Sequence, residues 1–340
     1  MKIALDAMGG DFAPDVTAAG AIEAVSENDD IEIILVGDRL RLNESLKNKR
    51  YPSDRLSIYH ASEVVQMHES PIAAIRKKKD SSIRKAVELV KKQEADAVVS
   101  AGHSGVAMAT ALFILGKVQN VDRPAIATIM PSLTGHFLLI DAGANVDCSP
   151  ENLLEFGYMG DAYYRVVFDN PSPKLALLSI GEEEVKGNEL TKEAFKLLKN
   201  TGMNFIGNIE GKDIFTGKAD VIICDGFIGN IVLKVSEGLA ETILKMLRME
   251  ISSVATGKLG YMMIKPAIRN FKKRTDYSEY GGAPLLGING TCIISHGRSS
   301  ARAIKNAIRV AADMAKKNVH NAIMNSLQIN RKKVSENVEV

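Results

Sequence analysis

Apolar runs of strand length alternate with amphipathic segments along almost all of the 340-residue chain. Apolar residues within these segments recur at helical spacing, as in Ser81–Val90, where Asp80 is suited to cap the helix. The alternation predicts the α/β class, with a largely parallel sheet between two layers of helices. The predicted strands are Lys2–Leu5, Glu32–Val36, Leu56–Tyr59, Ala97–Ser100, Ala125–Met130, Phe137–Ile140, Leu175–Ser179, Asn204–Ile206, Val221–Cys224 and Thr291–Ile294.

Two neighbouring strands break the parallel pattern. Only Pro131–His136 separates Ala125–Met130 from Phe137–Ile140, which is too short for a helical crossover. We therefore expect this pair to be antiparallel and the fold to be a three-layer α/β/α structure with a mostly parallel, mixed sheet. No repeat or low-complexity linker divides residues 1–330, which are predicted to form one catalytic domain, and the polar residues 331–340 are predicted to be a flexible tail.

Composition and charge argue against several classes of protein. The net charge of +2 is far from the strongly basic balance of nucleic-acid-binding domains. The N-terminal sequence MKIALDAMGGD has too short an apolar run for a signal peptide. The uncharged window Ala97–Gly116 has the length of a membrane span, but the turn Ser100–Gly105 interrupts it. A buried strand, a turn and a buried helix are predicted there instead.

The cysteines and the acidic pairs do not predict a metal site. Cys148, Cys224 and Cys292 lack the spacing of metal ligands, and unpaired cysteines are typical of the cytoplasm. Cys148 precedes a predicted helix, where a thiol pKa can fall, but a packing role is favoured over that of a nucleophile. Asp220 and Asp225 lie at opposite ends of one predicted strand, too far apart to share a metal ion.

Seven predicted strands end in Gly beside a polar residue. Gly at such ends lets backbone N–H groups approach an anion, and ligands of open α/β sheets bind at the carboxyl ends of strands. Any one of these turns could be only a tight bend, but the set predicts a polar anion pocket. The motifs are DAMGGD (Asp6–Asp11), VGD (Val36–Asp38), SAGHSG (Ser100–Gly105), DAGAN (Asp141–Asn145), SIGEE (Ser179–Glu183), DGFIGN (Asp225–Asn230) and SHGRSS (Ser295–Ser300).

Three side chains in or near these turns are candidates for binding the anion or for catalysis. His103 and His296 each lie beside Gly, where an imidazole can bind phosphate or move a proton, or be merely hydrogen-bonded. Lys186 lies in the loop GEEEVKGN and is either an anion clamp or a solvated lysine. The common dinucleotide and P-loop fingerprints are not found in the sequence.

Eight motifs together resemble a known family over almost the whole chain. DAMGGD, SAG-x-x-G, RPAI (Arg123–Ile126), DAGAN, SIGEE followed by KGNE, GNIEG (Gly207–Gly211), DGF-x-GN and YGGAPLLG (Tyr280–Gly287) occur in this order. This order is similar to that of the bacterial phosphate acyltransferases of the PlsX family. One departure is His103, which stands where family members usually have Asn, so its role is left open.

The resemblance implies transfer of a long-chain acyl group from acyl carrier protein to inorganic phosphate. The acyl-phosphate product would serve phosphatidic acid and phospholipid synthesis through an acyl-phosphate:glycerol-3-phosphate acyltransferase. The family implies an α/β/α fold similar to isopropylmalate dehydrogenases and phosphate acetyltransferases, a homodimer, and a cytoplasmic protein attached peripherally to the membrane. Phosphate is itself the nucleophile, so this chemistry requires neither a cofactor nor a metal.

The resemblance and the strand-end motifs together give a set of expected site residues. The expected catalytic residues are Lys186, Asn230 and His103 as donors, and Asp225, which would orient Lys186 or accept a phosphate proton. The expected substrate- and phosphate-binding residues are Asp6, Gly9, Gly10, Asp11, Ser100, Gly102, Ser104, Gly105, Asp141, Asn145, Gly181, Glu182, Asn188, Gly226, Gly229, Gly281, Gly282 and His296.

Residues 236–275 have a different pattern and are predicted to form a protruding helical hairpin. Leu239, Ile243 and Ile251 recur at helical spacing in its first half. Its second half combines an apolar face with a basic edge, which suits either an anionic membrane surface or a dimer interface. The residues expected to meet the membrane are Met262, Met263, Ile264, Ile268, Lys272, Lys273 and Arg274.

A second basic cluster, Arg76–Lys79, is either a solvated face or a docking surface for the acidic acyl carrier protein. Two other functions remain open from the sequence. One is a metal- and NAD-dependent decarboxylating dehydrogenase of similar fold, for which no convincing arginine cluster is found. The other is a non-enzymatic membrane scaffold for enzymes of lipid synthesis.

Overall fold

The computed structural model describes residues 1–254, 257–275 and 277–338, and the side chains within 1–254, 260–269, 271 and 279–329. The strands are β1 Lys2–Asp6, β2 Glu32–Gly37, β3 Leu56–His60, β4 Ala97–Ser100, β5 Ala125–Ser132, β6 Gly135–Ile140, β7 Leu175–Leu178, β8 Phe205–Ile209, β9 Val221–Ile223, β10 Ala283–Leu286 and β11 Thr291–Ile294. The helices are α1 Asp15–Glu27, α2 Arg39–Leu46, α3 Pro71–Lys77, α4 Ser82–Lys91, α5 Ser104–Leu115, α6 Pro150–Phe168, α7 Glu189–Lys199, α8 Gly226–Ser253, α9 Gly257–Thr275, α10 Ala301–Lys316 and α11 Val319–Val338.

The sheet confirms the ten predicted strands and adds one. Strand β10 was missed because it is only four residues long, contains Pro284 and is flanked by Gly281, Gly282 and Gly287. The prediction that Asp80 caps α4 is wrong. Ser81 occupies the N-cap position, and the Asp80 carboxylate accepts hydrogen bonds from the backbone and hydroxyl of Ser62 instead.

Two groups of strands run in opposite directions within one sheet of order β3-β2-β1-β4-β11-β10-β5-β6-β9-β7-β8. Strand β10 is antiparallel to both β11 and β5, and β5 is antiparallel to β6, as predicted. Strands β6, β9, β7 and β8 are parallel to one another and therefore run opposite to β1–β4 and β11. The pairing through β10 and β5 places Ile294, at the end of β11, level with Thr128 and within about one residue of the level of Ile140, at the end of β6. The carboxyl ends of the two groups therefore meet near the middle of the sheet.

Both faces of the sheet are covered by helices, which confirms the three-layer α/β/α architecture. Alternate residues of a strand enter different cores, because side chains of period two point to opposite faces. In β1, Ile3 and Leu5 belong to a core cluster that also contains side chains of α1, α6, α10 and α11, whereas Ala4 belongs to a cluster with side chains of α4 and α5. A third cluster, which includes Phe137 and Ile222, lies under the first turns of α8.

The segment predicted as a helical hairpin, residues 236–275, lies in two helices. Helix α8 is 28 residues long and starts at Gly226, before the first residue of that segment, and α9 follows over 19 residues. Helix α11 continues to Val338, so most of the segment 331–340 predicted as a tail is helical, and residues 339 and 340 lie outside the described part. Among the described residues, no helix is both long and apolar enough to cross a membrane.

Candidate active site

A cleft of about 610 Å³ lies between the loops that follow β1, β4 and β11 and the first turns of α8. Helix α8 starts after β9 and against the loop after β6, and both contribute residues to the cleft. The polar residues that line the cleft are Asp11, Ser104, Thr128, Asn230, Lys234, Glu237, Tyr280, Ser295, His296, Arg298 and Ser299. The glycines that line it are Gly102, Gly143, Gly282 and Gly297.

Glycines allow the β1 and β4 loops to pack against each other under the cleft. A Cβ at Gly9 would lie 2.8 Å from the backbone nitrogen of Gly102 and 2.5 Å from Asp6 Oδ2. Gly10 has φ +108°, a conformation that favours glycine. Asp11 follows in the cleft wall, and its backbone N–H donates to the Gly297 carbonyl at 2.8 Å, which joins this loop to the β11 loop.

Asp6 lies below the cleft rather than in its wall. Its side chain is 2% exposed, and Oδ2 accepts a hydrogen bond of 2.7 Å from the Ser100 hydroxyl. The Ser100 hydroxyl also accepts from the backbone N–H of Gly102 at 3.1 Å. Burial raises the pKa of Asp6. Asp6 and Ser100 were expected to bind phosphate, but in this structure they support Gly102, which does line the cleft.

His103 also faces away from the main cleft. It is the N-cap residue of α5 and lines a small cavity with Asp6 and Ser82. Its Nδ1 atom is buried and has no hydrogen-bond partner among the described residues. The next residue, Ser104, is exposed and lines the cleft, whereas Gly105 lies against the His103 ring.

The β11 loop places a histidine and an arginine in the cleft. His296 Nδ1 accepts a hydrogen bond of 3.2 Å from the backbone N–H of Arg298, so the neutral imidazole carries its proton on Nε2. The Arg298 side chain is 80% exposed, and its Nε lies 3.8 Å from Asp11 Oδ2. Ser295 and Ser299 are joined through their hydroxyls at 2.8 Å, which closes the loop beneath these two side chains.

The motif DGFIGN begins α8 and positions its cleft-facing residues. Asp225 is the N-cap, and its carboxylate accepts a hydrogen bond of 2.9 Å from the backbone N–H of Ile228. A Cβ at Gly226 would lie 2.6 Å from the Asn145 carbonyl oxygen, and a Cβ at Gly229 would lie 1.8 Å from that of Asp141. These two glycines were expected to bind phosphate; the structure shows that they let the helix approach the loop after β6.

Three polar residues on one face of α8 line the cleft. Asn230, Lys234 and Glu237 recur at four- and three-residue spacing, which aligns them on the helix surface. The Lys234 ammonium lies 3.1 Å from the Glu237 carboxylate, and the Lys234 side chain is 52% exposed. Lys234 and Arg298 therefore bring one cation from each group of strands to the same cleft.

Asp141 and Asn145 hold the loop after β6 and do not reach the cleft. The Asp141 carboxylate is fully buried and accepts hydrogen bonds from the backbone N–H groups of Ile126, Gly143, Ala144 and Asn145. It also accepts one from the Asn145 amide at 2.9 Å. Burial raises the pKa of Asp141, and these donors counteract that effect. Both residues were expected to bind phosphate; their hydrogen bonds instead fix Gly143 in the cleft wall.

The residues of the loop after β7 do not line the cleft. Lys186 is exposed, and Gly181 lies against its aliphatic chain. Asn188 is the N-cap of α7 and accepts a hydrogen bond of 2.9 Å from the Thr191 backbone N–H. Glu182 pairs with Lys218 at 2.9 Å. The structure therefore does not bring these four predicted residues together with Asn230 and His296.

Gly281 and Gly282 lead into β10 and have φ of +81° and +84°. A Cβ at Gly281 would lie 2.5 Å from the Asn306 carbonyl oxygen, so the turn must pass close to α10. Of the pair, only Gly282 lines the cleft.

The cysteines are not placed as nucleophiles. Burial raises the pKa of Cys148 to about 11, so the thiol is neutral at pH 7. The Cys148 thiol lies 3.5 Å from the Asn145 carbonyl oxygen, in the loop that supports α8. The Asp220 carboxylate accepts from the Lys174 backbone N–H at 2.7 Å, away from the Asp225 cap. No group of three potential metal ligands occurs in the described part of the chain.

Sequence reasoning missed three charged residues of the cleft. Arg298 belongs to the recognised motif SHGRSS and is its only permanently charged residue, which was the available signal. Lys234 and Glu237 lie one and two turns beyond Asn230 on α8, and only the helical spacing could have indicated them.

The surfaces predicted to meet partners are only partly within the described side chains. Met262, Met263 and Ile264 are exposed and Ile268 is half-buried, whereas the side chains of Lys272, Lys273 and Arg274 lie outside the described residues. In the cluster Arg76–Lys79, Lys78 pairs with Glu69, while Arg76, Lys77 and Lys79 are exposed.

Comparison with known proteins places the chain in a family. The model of the fatty acid synthesis protein family matches residues 1–322. The chain is 62% identical over 327 residues to the phosphate acyltransferase of Thermodesulfovibrio yellowstonii, covering 96% of this chain and 94% of the relative.

Solved structures show the same fold at lower identity. A phosphotransacetylase from Streptococcus pyogenes superposes with a TM-score of 0.65 at 20% identity, over 93% of this chain and 94% of the other. A 4-hydroxythreonine-4-phosphate dehydrogenase from Klebsiella pneumoniae does so with a TM-score of 0.52 at 14% identity, over 93% and 98%. The expected likeness to both fold types is confirmed. With the eight motifs and the family match in agreement, the chain belongs to the fatty acid synthesis (PlsX) family of phosphate acyltransferases.

Proposed function

We propose that this acyltransferase moves a long-chain fatty acyl group from acyl carrier protein to inorganic phosphate, and that the acyl-phosphate enters phosphatidic acid synthesis. The observation that carries the proposal is the pair of cations, Lys234 and Arg298, that open onto one cleft beside Asn230 and His296. The family match supports phosphate as the acceptor.

The two cations suit a phosphate dianion. Each is paired with a carboxylate, Lys234 with Glu237 at 3.1 Å and Arg298 with Asp11 at 3.8 Å. Exposed pairs of this kind contribute at most about 1 kcal/mol. A dianion that bridges both cations makes charge-assisted hydrogen bonds to each, so it can displace the weaker carboxylate contacts.

The reaction needs only positioning and electrostatic stabilisation. A phosphate oxygen attacks the thioester carbonyl carbon, and the carbonyl oxygen becomes an oxyanion. The Nε2–H of His296 and the amide of Asn230 both line the cleft and are the side-chain donors proposed for this oxyanion. The C–S bond then breaks, the thiolate of the carrier leaves and takes a proton from water, and the acyl-phosphate remains. The neutral Cys148 thiol has no part in these steps.

The acidic carrier protein requires a basic surface. The exposed cations Arg76, Lys77 and Lys79 at the end of α3 offer one, and α3 starts at Pro71, which contacts the Gly105 turn at the cleft rim. Electrostatic attraction there would speed encounter and orient the thioester towards the cleft. Charge reversal at these three positions should raise the KM for the acylated carrier at low salt and leave the KM for phosphate unchanged.

The test of the reaction follows release of carrier-protein thiol. Purified protein is mixed with palmitoyl-acyl carrier protein, with and without phosphate, in EDTA. Release is expected only with phosphate. Arg298→Ala should lower kcat/KM for phosphate by about 10- to 100-fold, the loss expected for a charge-assisted hydrogen bond of about 1.5–3 kcal/mol, and Arg298→Lys should recover part of it. Phosphate-independent turnover, or an Arg298→Ala variant with an undiminished kcat/KM, would refute the proposal.

Exposed apolar side chains on α8 and α9 support attachment to a membrane and to a second copy of the chain. Val235 and Met246 on α8 are each 60% exposed, and Met262 and Met263 on α9 are 70% and 79% exposed. Light scattering tests the dimer, and flotation with anionic liposomes tests the membrane. Met262→Asp with Met263→Asp should abolish flotation and preserve the dimer; retained flotation would exclude this segment as the membrane contact.

A further inference from the structure

A second cavity of about 620 Å³ continues from the cleft along α8. The two cavities share lining residues at their junction, among them Thr128, Leu233 and Arg298. Beyond the junction the wall changes character, because it is built largely from apolar side chains of β5, α8 and α9 such as Met130, Ala240 and Phe271. A polar chamber with two cations is thus joined to an apolar one.

We infer that the second cavity binds the acyl chain of the substrate, and that Ala240 and Leu244 set the longest chain that fits. This inference rests on the proposed acyl transfer. The thioester carbonyl lies at the junction near Arg298, within reach of the bound phosphate, and the methyl end of the chain points towards Leu244 and Phe271.

The spacing along α8 matches a long acyl chain. Leu233, Glu237, Ala240 and Leu244 recur every three or four residues, so one face of the helix forms the wall of the channel. Leu233 and Leu244 are eleven residues apart, which is about 16 Å at the helical rise. One acyl chain spans half of a bilayer hydrocarbon core, or about 15 Å. An acetyl group would leave nearly all of this length unfilled.

The charge distribution favours an alkyl chain over a polar ligand. Among the described residues that line only the second cavity, Glu241 alone is charged, and its exposed carboxylate lies 3.9 Å from Lys245. The cations Lys234 and Arg298 lie at the other end, where the phosphate and the thioester meet. The two cavities together therefore suit an amphiphile with an anionic head and one apolar tail.

The experiment measures binding of alkylphosphonates with 4 to 16 carbons by calorimetry. The affinity should rise about fourfold per added methylene, because each buried CH₂ contributes about 0.8 kcal/mol and 1.4 kcal/mol is a factor of ten. The rise should stop at the chain length that fills the channel. Ala240→Phe should move this limit to shorter chains, and Leu244→Ala should move it to longer ones. Ala240→Ser, which adds one oxygen atom, is the matched control and should leave the limit unchanged.

The outcomes separate this inference from the proposed function. A limit that does not move in either variant, or an affinity independent of chain length, overturns the channel even if phosphate-dependent thiol release is found. A limit that shifts in opposite directions in the two variants supports the channel, and it does so even if no acyl transfer to phosphate is detected. Misfolding cannot produce opposite shifts, so a destabilised variant does not imitate the expected result.

Discussion

Gly229→Ala tests whether α8 must contact the loop after β6 to keep the cleft in shape. An alanine Cβ at this position would lie 1.8 Å from the Asp141 carbonyl oxygen and 3.1 Å from Cys224 Sγ. Heavy atoms pack at about 3.5 Å, so the helix must move outwards by more than about 1 Å. Overpacking of this kind costs about 1–3 kcal/mol of unfolding free energy. Because Asn230 and Lys234 follow on the same rigid helix, displacement by about 1 Å should also lower kcat/KM by about 100-fold.

The matched control lies on the same helix. Gly238 has no atom within 4 Å of an added Cβ, so Gly238→Ala should be neutral for kcat/KM and should raise the free energy of unfolding by up to about 1 kcal/mol through helix propensity. Urea unfolding followed by circular dichroism gives the stabilities, and phosphate-dependent thiol release gives the rates. A Gly229→Ala variant as stable and as active as the wild type would show that the contact between α8 and the loop is not required.

Three further predictions concern groups outside the cleft wall. Burial raises the pKa of Asp6 above 3.8, its value in the unfolded chain, so the wild type should lose stability as the pH rises above 3.8. The Asp6→Asn variant should lose less stability over the same range. Parallel curves of unfolding free energy for the two proteins between pH 4 and 8 would contradict this. Cys148 has a pKa of about 11, so its reaction with iodoacetamide should become about ten times faster for each pH unit above pH 7. Cys148→Ser should keep the wild-type rate of acyl transfer. Rapid inactivation of the wild type by iodoacetamide at pH 7 would contradict the raised pKa. Asn188→Ala removes the cap of α7 and should cost about 1 kcal/mol of unfolding free energy. It should not change kcat/KM, because Asn188 lies outside the cleft. A lowered kcat/KM would show that the loop after β7 takes part in the reaction.

Most of the fold could be predicted because its strands are short apolar runs between amphipathic helices. The reversal of strand direction could not, because it depends on β10, whose Pro284 and flanking glycines resemble a loop. Strand β10 pairs with the neighbouring β11 through Ala283 and with the distant β5 through Leu285. Local patterns carry no information about the long-range pairing with β5, so the sequence does not reveal which strand ends meet.

The same limit explains which site residues were predicted well. Asp11, Asn230 and His296 line the cleft, whereas Lys186 follows β7, which lies farther from the middle of the sheet than β9 does. A sequence shows that a residue follows a strand but not which position that strand takes in the sheet. Nor does it distinguish Asp6, which is buried and bonded to Ser100, from the exposed Asp11 five residues later.

The opposed strand directions have a chemical consequence. The loop after β11 carries Arg298, and the helix after β9 carries Lys234. Because the two groups run towards each other and their carboxyl ends meet near β10 and β5, the loop and the helix line the same cleft. The position of Lys234 depends on the close packing of Gly226 and Gly229 against the loop after β6. Lys234 on α8 and Arg298 in the loop after β11 are then the two cations for the dianion, and the remainder of α8 lines the apolar channel.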